Sequence, residues 1–462
     1  MPNDFAYFTL LVWPIVSIVL YKTYPVITAT FWTVVGGYLL LPVGVEFNFP
    51  LIPSLDKKSI PAIMGFLGCR YIANQKIRFL PPSGVERNLI LMLFIGSVAT
   101  VLTNGEPVIE PNRYIPGLRL RDILSTVASQ WLTLAPFILG LQIVKKHEDQ
   151  VQFLYLLIVA GLWYSTLIIF EIRMSPQLHT WVYGFFPHSW VQQIRYGGFR
   201  PVVFLGHGLW ISMFIFTVLG SMLAISKIRP RSFRIPDLTL IIFLVVLVVL
   251  SKGLGAIMLS LFFLTAMIFL NSNLIMKLSF FLSLTAICYP LLCIANVFPH
   301  QSIIDIVSSI DQVRADSLNY RFNQESAFLE RATEKLFFGW GDWGRGRVDK
   351  SVTDGYWVNV VGEYGLIGYT ALFGLIINSI YKIRKQSKVI VNKDSCDYIA
   401  ATSLVIALLM VDQIPNASIN PLMWLLVGSF SGIYQRQPEV LDQQSASHHD
   451  IDENINSLRV HR

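Results

Sequence analysis

Four arginines and one lysine lie beside glycine-rich or apolar segments where a positive charge could do chemistry: Arg195, Arg200, Lys252, Arg314 and Arg321. A guanidinium is planar and permanently charged, and its fork of donors matches phosphate oxygens. Arg195 and Arg200 belong to Gln193-Ile-Arg-Tyr-Gly-Gly-Phe-Arg-Pro201, at the expected mouth of a helix, with His207 about two turns further in. A helix N-terminus carries partial positive charge and would add to an anion site there. The ordinary alternatives are that both arginines snorkel to headgroups and that His207 is a satisfied interhelical histidine. Lys252 interrupts a long apolar stretch in Leu250-Ser-Lys-Gly-Leu-Gly255. Gly253 favours a turn that would aim the lysine at the same chamber, or leave it as an interfacial anchor.

The densest polar interruption covers residues 296–363. Within it Ile306, Ile310, Val313, Leu318, Phe322, Phe328, Leu329 and Ala332 repeat with helical period. That stripe predicts helices over 303–310 and 311–335 lying on a membrane face. Arg314 and Arg321 would share one side of the second helix, although Arg321 also has Glu325 at i+4, a pairing of only about 0.2–0.5 kcal/mol. The turn Phe338-Gly-Trp-Gly-Asp-Trp-Gly-Arg-Gly-Arg347 follows. Its glycines, Gly339 and Gly341 among them, would let successive amides form a concave nest for diphosphate. Trp340 and Trp343, with Trp357 beyond, offer flat faces to sugar rings, or else ordinary anchors at headgroup depth. Asp354 stands directly ahead of the next apolar span, as a candidate general base or a helix N-cap. Neighbouring arginines would lower its pKa and weaken it as a base unless it is desolvated. The loops on this side hold no Asp-x-Asp, no His-x-x-His and no cysteine cluster, and the chain has no P-loop or Rossmann signature. No metal and no cofactor is therefore expected.

The elements that must position these residues are membrane helices. Of 462 residues 53% are hydrophobic and 14% charged, with mean hydropathy +0.54, against roughly 25% charged in soluble domains. Apolar runs fall near 5–20, 26–42, 60–71, 88–103, 123–144, 151–173, 201–226, 238–250, 253–270, 277–296, 356–381, 398–412 and 422–434. Each approaches the roughly 20 residues that cross a bilayer. The expected fold is an all-α polytopic bundle of about 12–13 spans over 1–434, with a large extracytoplasmic helical loop at 297–355 and a disordered cytoplasmic tail at 435–462. The first span lacks a basic stretch ahead of it and reads as a retained helix. Arg70/Lys76/Arg78/Arg87, Lys145/Lys146, Lys227/Arg229/Arg231/Arg234 and Lys382/Arg384/Lys385/Lys388 all fall in alternate loops, which marks that face as cytoplasmic. The net charge of +7 is mostly this bias, and no basic patch suited to nucleic acid is interleaved with a soluble fold. Cys69, Cys288, Cys293 and Cys396 map to spans or to the cytoplasmic face, so no disulfide is expected in the opposite loops.

Taken in order, Arg195-Tyr-Gly-Gly-Phe-Arg-Pro201, Ser251-Lys-Gly253, Ser317-Leu-Asn-Tyr-Arg321, Phe338-Gly-Trp-Gly341 and Asp354 followed by Glu363-Tyr-Gly-Leu-Ile-Gly368 resemble the O-antigen ligase/polymerase superfamily of bacterial envelope glycosyltransferases. The resemblance covers roughly residues 155–381. It implies a GT-C-like, metal-independent enzyme of the bacterial inner membrane, active on the periplasmic side. Its partners would be an undecaprenyl-diphosphate-linked glycan donor, an acceptor glycan or glycolipid, and membrane lipids. In the family's ligases a histidine precedes a glycine with ten residues between them. Here Asp354 stands at that spacing from Gly365, a departure that points toward a polymerase or a ligase-like enzyme with another acceptor. Arg195, Arg200 and Arg321 would neutralise the departing diphosphate, and Asp354 would take the acceptor proton. The competing class is a transporter or flippase, which would place ionisable residues deep in its spans.

Overall fold

Apolar runs cannot hydrogen-bond to lipid, so they satisfy their own backbones, and this chain does so almost entirely as helix. The computed structural model describes residues 1–49, 52–110, 113–195, 197–228, 233–347, 355–386 and 393–433. In chain order the helices begin with α1 (Asp4–Thr23) and α2 (Val26–Phe31), which runs through a π-helical turn (Trp32–Gly36) into α3 (Gly37–Leu40). Next come α4 (Ser59–Leu67), α5 (Val85–Leu102), α6 (Asp122–Ile143), α7 (His147–Met174), the short α8 (Leu178–Tyr183), α9 (Gly208–Ile228), α10 (Asp237–Leu250) and α11 (Leu254–Phe269). The series closes with α12 (Ser272–Ile294), α13 (His300–Ser308), α14 (Gln312–Thr333), α15 (Tyr356–Gln386), α16 (Lys393–Asp412) and α17 (Pro421–Gly432). Two small antiparallel pairs join them: β1 (Val108–Glu110) with β2 (Arg113–Ile115), and β3 (Ile194–Arg195) with β4 (Gly198–Phe199).

Seven of these helices, α1, α5, α6, α7, α9, α12 and α15, are long and apolar enough to cross a membrane. Val26–Leu40, Ser59–Ile72, α10, α11 and α17 are apolar but shorter. Nearly every expected span is thus a helix close to its expected bounds, while fewer than thirteen reach spanning length alone. This is the architecture of an all-α, multi-pass membrane protein. Phe8, Leu11, Ile15 and Val19 of α1 and Leu261 and Ile268 of α11 face outward, as lipid-facing side chains do. The tail at 435–462 lies outside the described residues.

Close helix contacts rest on glycine. A Cβ on Gly428 of α17 would lie 2.1 Å from the Phe137 carbonyl oxygen of α6, and one on Gly432 would lie 2.3 Å from that of Val144. Gly140 of α6 answers from the other side, 2.6 Å from Leu425 O. Gly428-Ser-Phe-Ser-Gly432 is a small-xxx-small motif, the spacing that lets two membrane helices bring their backbones together.

The large loop is fastened to α15 by a trade of hydrogen bonds. At Gly365 the helix breaks, with φ 64° and ψ −167°, a conformation open to glycine and strained for other residues. Leu366 and Ile367 N–H therefore donate to Leu336 and Phe337 carbonyls at 2.8 and 3.3 Å. The freed carbonyls of Gly362 and Glu363 accept Trp340 and Gly341 N–H at 2.8 and 2.9 Å. Side chains complete the joint. Asn104 Nδ2 donates to Gly339 O at 2.9 Å, and Arg345, fully buried, donates to the carbonyls of Trp340, Pro116 and Glu106.

One face carries this loop. On the other, Lys382 pairs with Glu86, Ser272 with Asp397, and Gln142 Nε2 with the Arg78 carbonyl. The stretches that carry Arg78 and Arg87, Lys145 and Lys382 therefore meet on one side.

Candidate functional site

Residues 194–195 and 197–207 build a cationic mouth on the loop-bearing face. The β3–β4 hairpin places Arg195 opposite Gly198 and turns at Gly197 (φ +66°). The seventh span begins at Gly208 and not near 201, which corrects the expected helix mouth. The reason is local: the carboxylate of Glu171 on α7 accepts Val202 and Val203 N–H at 2.8 and 2.7 Å, and Tyr164 Oη accepts Phe204 N–H at 3.1 Å. Backbone amides that would otherwise start a helix are taken by buried side chains. Lys57 fixes the same segment from the far side by donating to Phe204 O at 2.8 Å. Burial, with Lys58 beside it, draws the Lys57 ammonium down to about 7.

His207 then caps α9. Its Nδ1 accepts Leu209 N–H at 3.0 Å and its carbonyl accepts Trp210 N–H at 3.0 Å. Burial pushes the imidazole down to about 4, reinforced by the charges of Arg200, His188 and Arg195. It is neutral near pH 7, and the Nδ1 contact leaves the ring proton on Nε2. The His188 ring stands edge-on to it with centroids 4.7 Å apart.

Arg200 is buried and folds back on the helix start: a Cβ on Gly208 would lie 2.5 Å from its Cγ and Cδ. Lys252 arrives from the α10–α11 turn. It holds φ +55°, a strained value for a lysine, and its Nζ donates to Arg195 O at 2.8 Å. Ser251 Oγ donates to Ser212 Oγ at 2.9 Å, and a Cβ on Gly253 would lie 3.6 Å from an Arg200 guanidinium nitrogen. Arg195 and Arg200, whose charges act on His207, thus lie at the start of α9, and Lys252 joins them from a segment far away in sequence through the Arg195 carbonyl.

Arg321 belongs to a second place. It lines a cavity of about 330 Å³ under α14, together with Tyr289, Phe322, Glu325 and Gly355. Gly355 directly follows Asp354, which itself lies outside the described residues, as does the side chain of Arg314. A third, more polar cleft of about 330 Å³ lies between α6, α15 and α17. Gln130, Asp342, Asn359, Glu363 and Tyr364 line it, and Asp342 and Trp343 reach an adjoining hollow of about 270 Å³.

Several expected ligands take structural roles instead. Gly339 and Gly341 have φ of +71° and +85°, as a nest would need, but their amides are spent on Lys335 O and Glu363 O at 2.8 and 2.9 Å. No anion nest forms from them. Trp340 is buried, with the Arg331 guanidinium 3.6 Å and Lys335 Nζ 4.6 Å from its ring centroid. Cation–π contacts occupy the surface that a sugar would use. Trp357 is fully buried against Tyr289 and is a core residue. Trp343, 53% exposed, is the expected indole that remains open to a ligand.

From the sequence alone no functional role fell to Glu171, Lys57, Asp342 or Glu325. Glu171 and Lys57 could have been noticed as charges next to apolar runs. The other two gain meaning only from their neighbours. No family model, curated protein or solved structure matches this chain.

Proposed function

We propose that this protein is a membrane glycosyltransferase that moves a glycan from undecaprenyl diphosphate to an acceptor sugar at the periplasmic face of a bacterial inner membrane, as an O-antigen or exopolysaccharide polymerase or a ligase-like enzyme. One observation carries the reading: Arg195 and Arg200 lie beside a neutral His207 at the start of α9, with Lys252 tied to the Arg195 carbonyl. A pyrophosphate on a lipid is a doubly anionic group at the membrane surface, and positioned cations are what would hold it.

In the proposed step the acceptor hydroxyl oxygen forms a bond to the anomeric carbon. The bond from that carbon to the diphosphate oxygen breaks, and the lipid diphosphate leaves with the electron pair. The cationic mouth stabilises that charge. The hydroxyl proton passes to a carboxylate on the loop side, for which Asp354 is the candidate. Arg321 flanks the chain just after Asp354, and Trp343 at the adjoining hollow would stack on acceptor sugar. Gel profiles of surface glycan in a deletion strain test the reading. Chains of a single repeat indicate a polymerase, unattached long chains indicate a ligase, and an unchanged profile removes the proposal.

A second reading, a transporter or flippase, has Glu363 in its favour. This carboxylate in a membrane-crossing helix faces a polar cleft beside Asp342, which is how carriers place ionisable groups. Reconstituted protein that elongates a lipid-linked glycan in detergent, where no transport is possible, decides between them.

A further inference from the structure

The end of α12 is built to turn the chain back on itself. Val297 N–H reaches Leu292 O at 3.0 Å and Asn296 N–H reaches Cys293 O at 3.0 Å, with Asn296 at φ +54°. This is a Schellman cap with asparagine in the left-handed position. It returns the chain over the helix end and sets His300, the first residue of α13, above Cys293. The two side chains meet with Sγ and Nε2 3.9 Å apart. Glu325 comes in from α14, and one donor atom from each of Cys293, His300 and Glu325 lies within 4.8 Å of the other two.

These are soft, borderline and hard donors around one point. A thiolate, an imidazole and a carboxylate together suit zinc-class ions, whereas calcium and magnesium take oxygen ligands alone. In a tetrahedral zinc site a sulfur at about 2.3 Å and a nitrogen at about 2.1 Å lie roughly 3.6 Å apart. The observed separation of 3.9 Å is close to that. The surroundings also fit a metal. Tyr289 Oη donates to Glu325 Oε1 at 2.8 Å, which orients the carboxylate beside Cys293. The His300 ring is flanked by Phe298 and Phe322, centroids 4.9 and 4.4 Å away. Hydrogen bonds to ligating carboxylates and an apolar collar are the usual outer shell of a metal site. Tyr289 and Glu325 also line the cavity that holds Arg321.

We propose that Cys293, His300 and Glu325 bind one divalent transition-metal ion of the zinc class, which pins α13 and α14 to the end of α12 and keeps a coordination position open to the cavity beneath α14. The proposal stands apart from the glycosyl-transfer reading, because metal binding is measured without any glycan.

The test uses the full chain in detergent, stripped by chelator and titrated with cobalt(II) as the probe. Wild type is expected to take up about one equivalent with a sulfur-to-cobalt charge-transfer band, and zinc should bleach that band. Cys293→Ser should lose the band, His300→Gln should bind at least roughly tenfold more weakly, and Tyr289→Phe should weaken binding roughly tenfold through the outer shell. Zinc should also raise the unfolding temperature of wild type and not that of His300→Gln. Absence of the band in wild type overturns the proposal. So does binding of equal strength in wild type and His300→Gln, which would place the metal elsewhere, for example on the His448–His449 pair of the tail. His300 is half-buried and its replacement by glutamine leaves the helix start intact, so this variant remains informative if Cys293→Ser fails to fold.

Discussion

At the scale of single residues, the cationic mouth divides its work between charge and scaffolding. Arg200 is buried against Gly208, while Arg195 is exposed on a hairpin and is tied through its carbonyl to Lys252. If the site grips diphosphate, Arg200→Ala and Arg195→Ala should each lower glycan transfer by about 10²–10³-fold while the protein still inserts in the membrane. Near-normal turnover in both variants, measured on purified protein, would remove the clamp. Arg200→Lys should recover little, because an ammonium lacks the planar fork. His207 adds a pH dependence. Burial holds its folded pKa at about 4, below the ordinary value of 6.5, so the unfolded chain binds more protons between those values. Stability linked to His207 is thus fully present above pH 6.5 and is lost as pH falls toward 4. Unfolding temperatures at pH 7 and pH 5 should differ more for wild type than for His207→Gln. Equal differences would show that the histidine is charged in the fold.

At the scale of elements, two glycine contacts determine how the bundle and its loop meet. Gly428 lets α17 lie against α6, and any side chain there meets the Phe137 carbonyl at 2.1 Å. Gly428→Leu should cost about 1–3 kcal/mol through overpacking, read as a lower unfolding temperature. Gly255 of α11 has nothing within 4 Å of its would-be Cβ. Gly255→Ala should be neutral or stabilising by roughly 0.4–1 kcal/mol, and this contrast separates close packing from a general effect of losing glycine. Gly365 carries the other joint. A Cβ there would meet Phe337 C and O at 2.3 Å, at a φ of +64°. Gly365→Ala should undo the exchange of hydrogen bonds between α15 and the turn after α14. Hydrogen exchange at the Leu366 and Ile367 amides should then accelerate; unchanged protection would mean that the joint does not depend on this glycine.

At the scale of the whole molecule, the cationic mouth, the cavity beneath α14 and the polar cleft share the face that carries the large loop, while Glu86–Lys382 and Ser272–Asp397 mark the other. This arrangement makes sidedness a direct test. A cysteine replacing the exposed Ser326 should react with an impermeant maleimide in intact cells, and one replacing the exposed Lys145 only after lysis. The reverse pattern would put the mouth in the cytoplasm and end the proposed reaction with an exported lipid-linked donor.

The all-α membrane class and the bounds of most helices were legible in the residues alone, because apolar run length is a property of local composition, whereas the number of helices of spanning length, seven, was not. The spans at 85–102, 122–143 and 237–250 begin and end within a few residues of the apolar runs that predict them. The amphipathic stripe likewise foretold α14. The start of α9 was not legible, since Glu171, far upstream, takes the amides that would have begun the helix earlier. Nor was the fate of Gly339 and Gly341: the same positive φ serves a nest or a joint, and their amides are claimed by Lys335 O and by the Glu363 carbonyl that the broken helix at Gly365 sets free. Trp340 and Trp357 look like open indoles until Arg331 and Tyr289 are seen against them. Cys293, His300 and Glu325 have no motif spacing, and a helix cap followed by two further helices brings them together. Composition determines what must be buried in lipid; which polar groups then meet depends on packing between segments that sequence order keeps far apart.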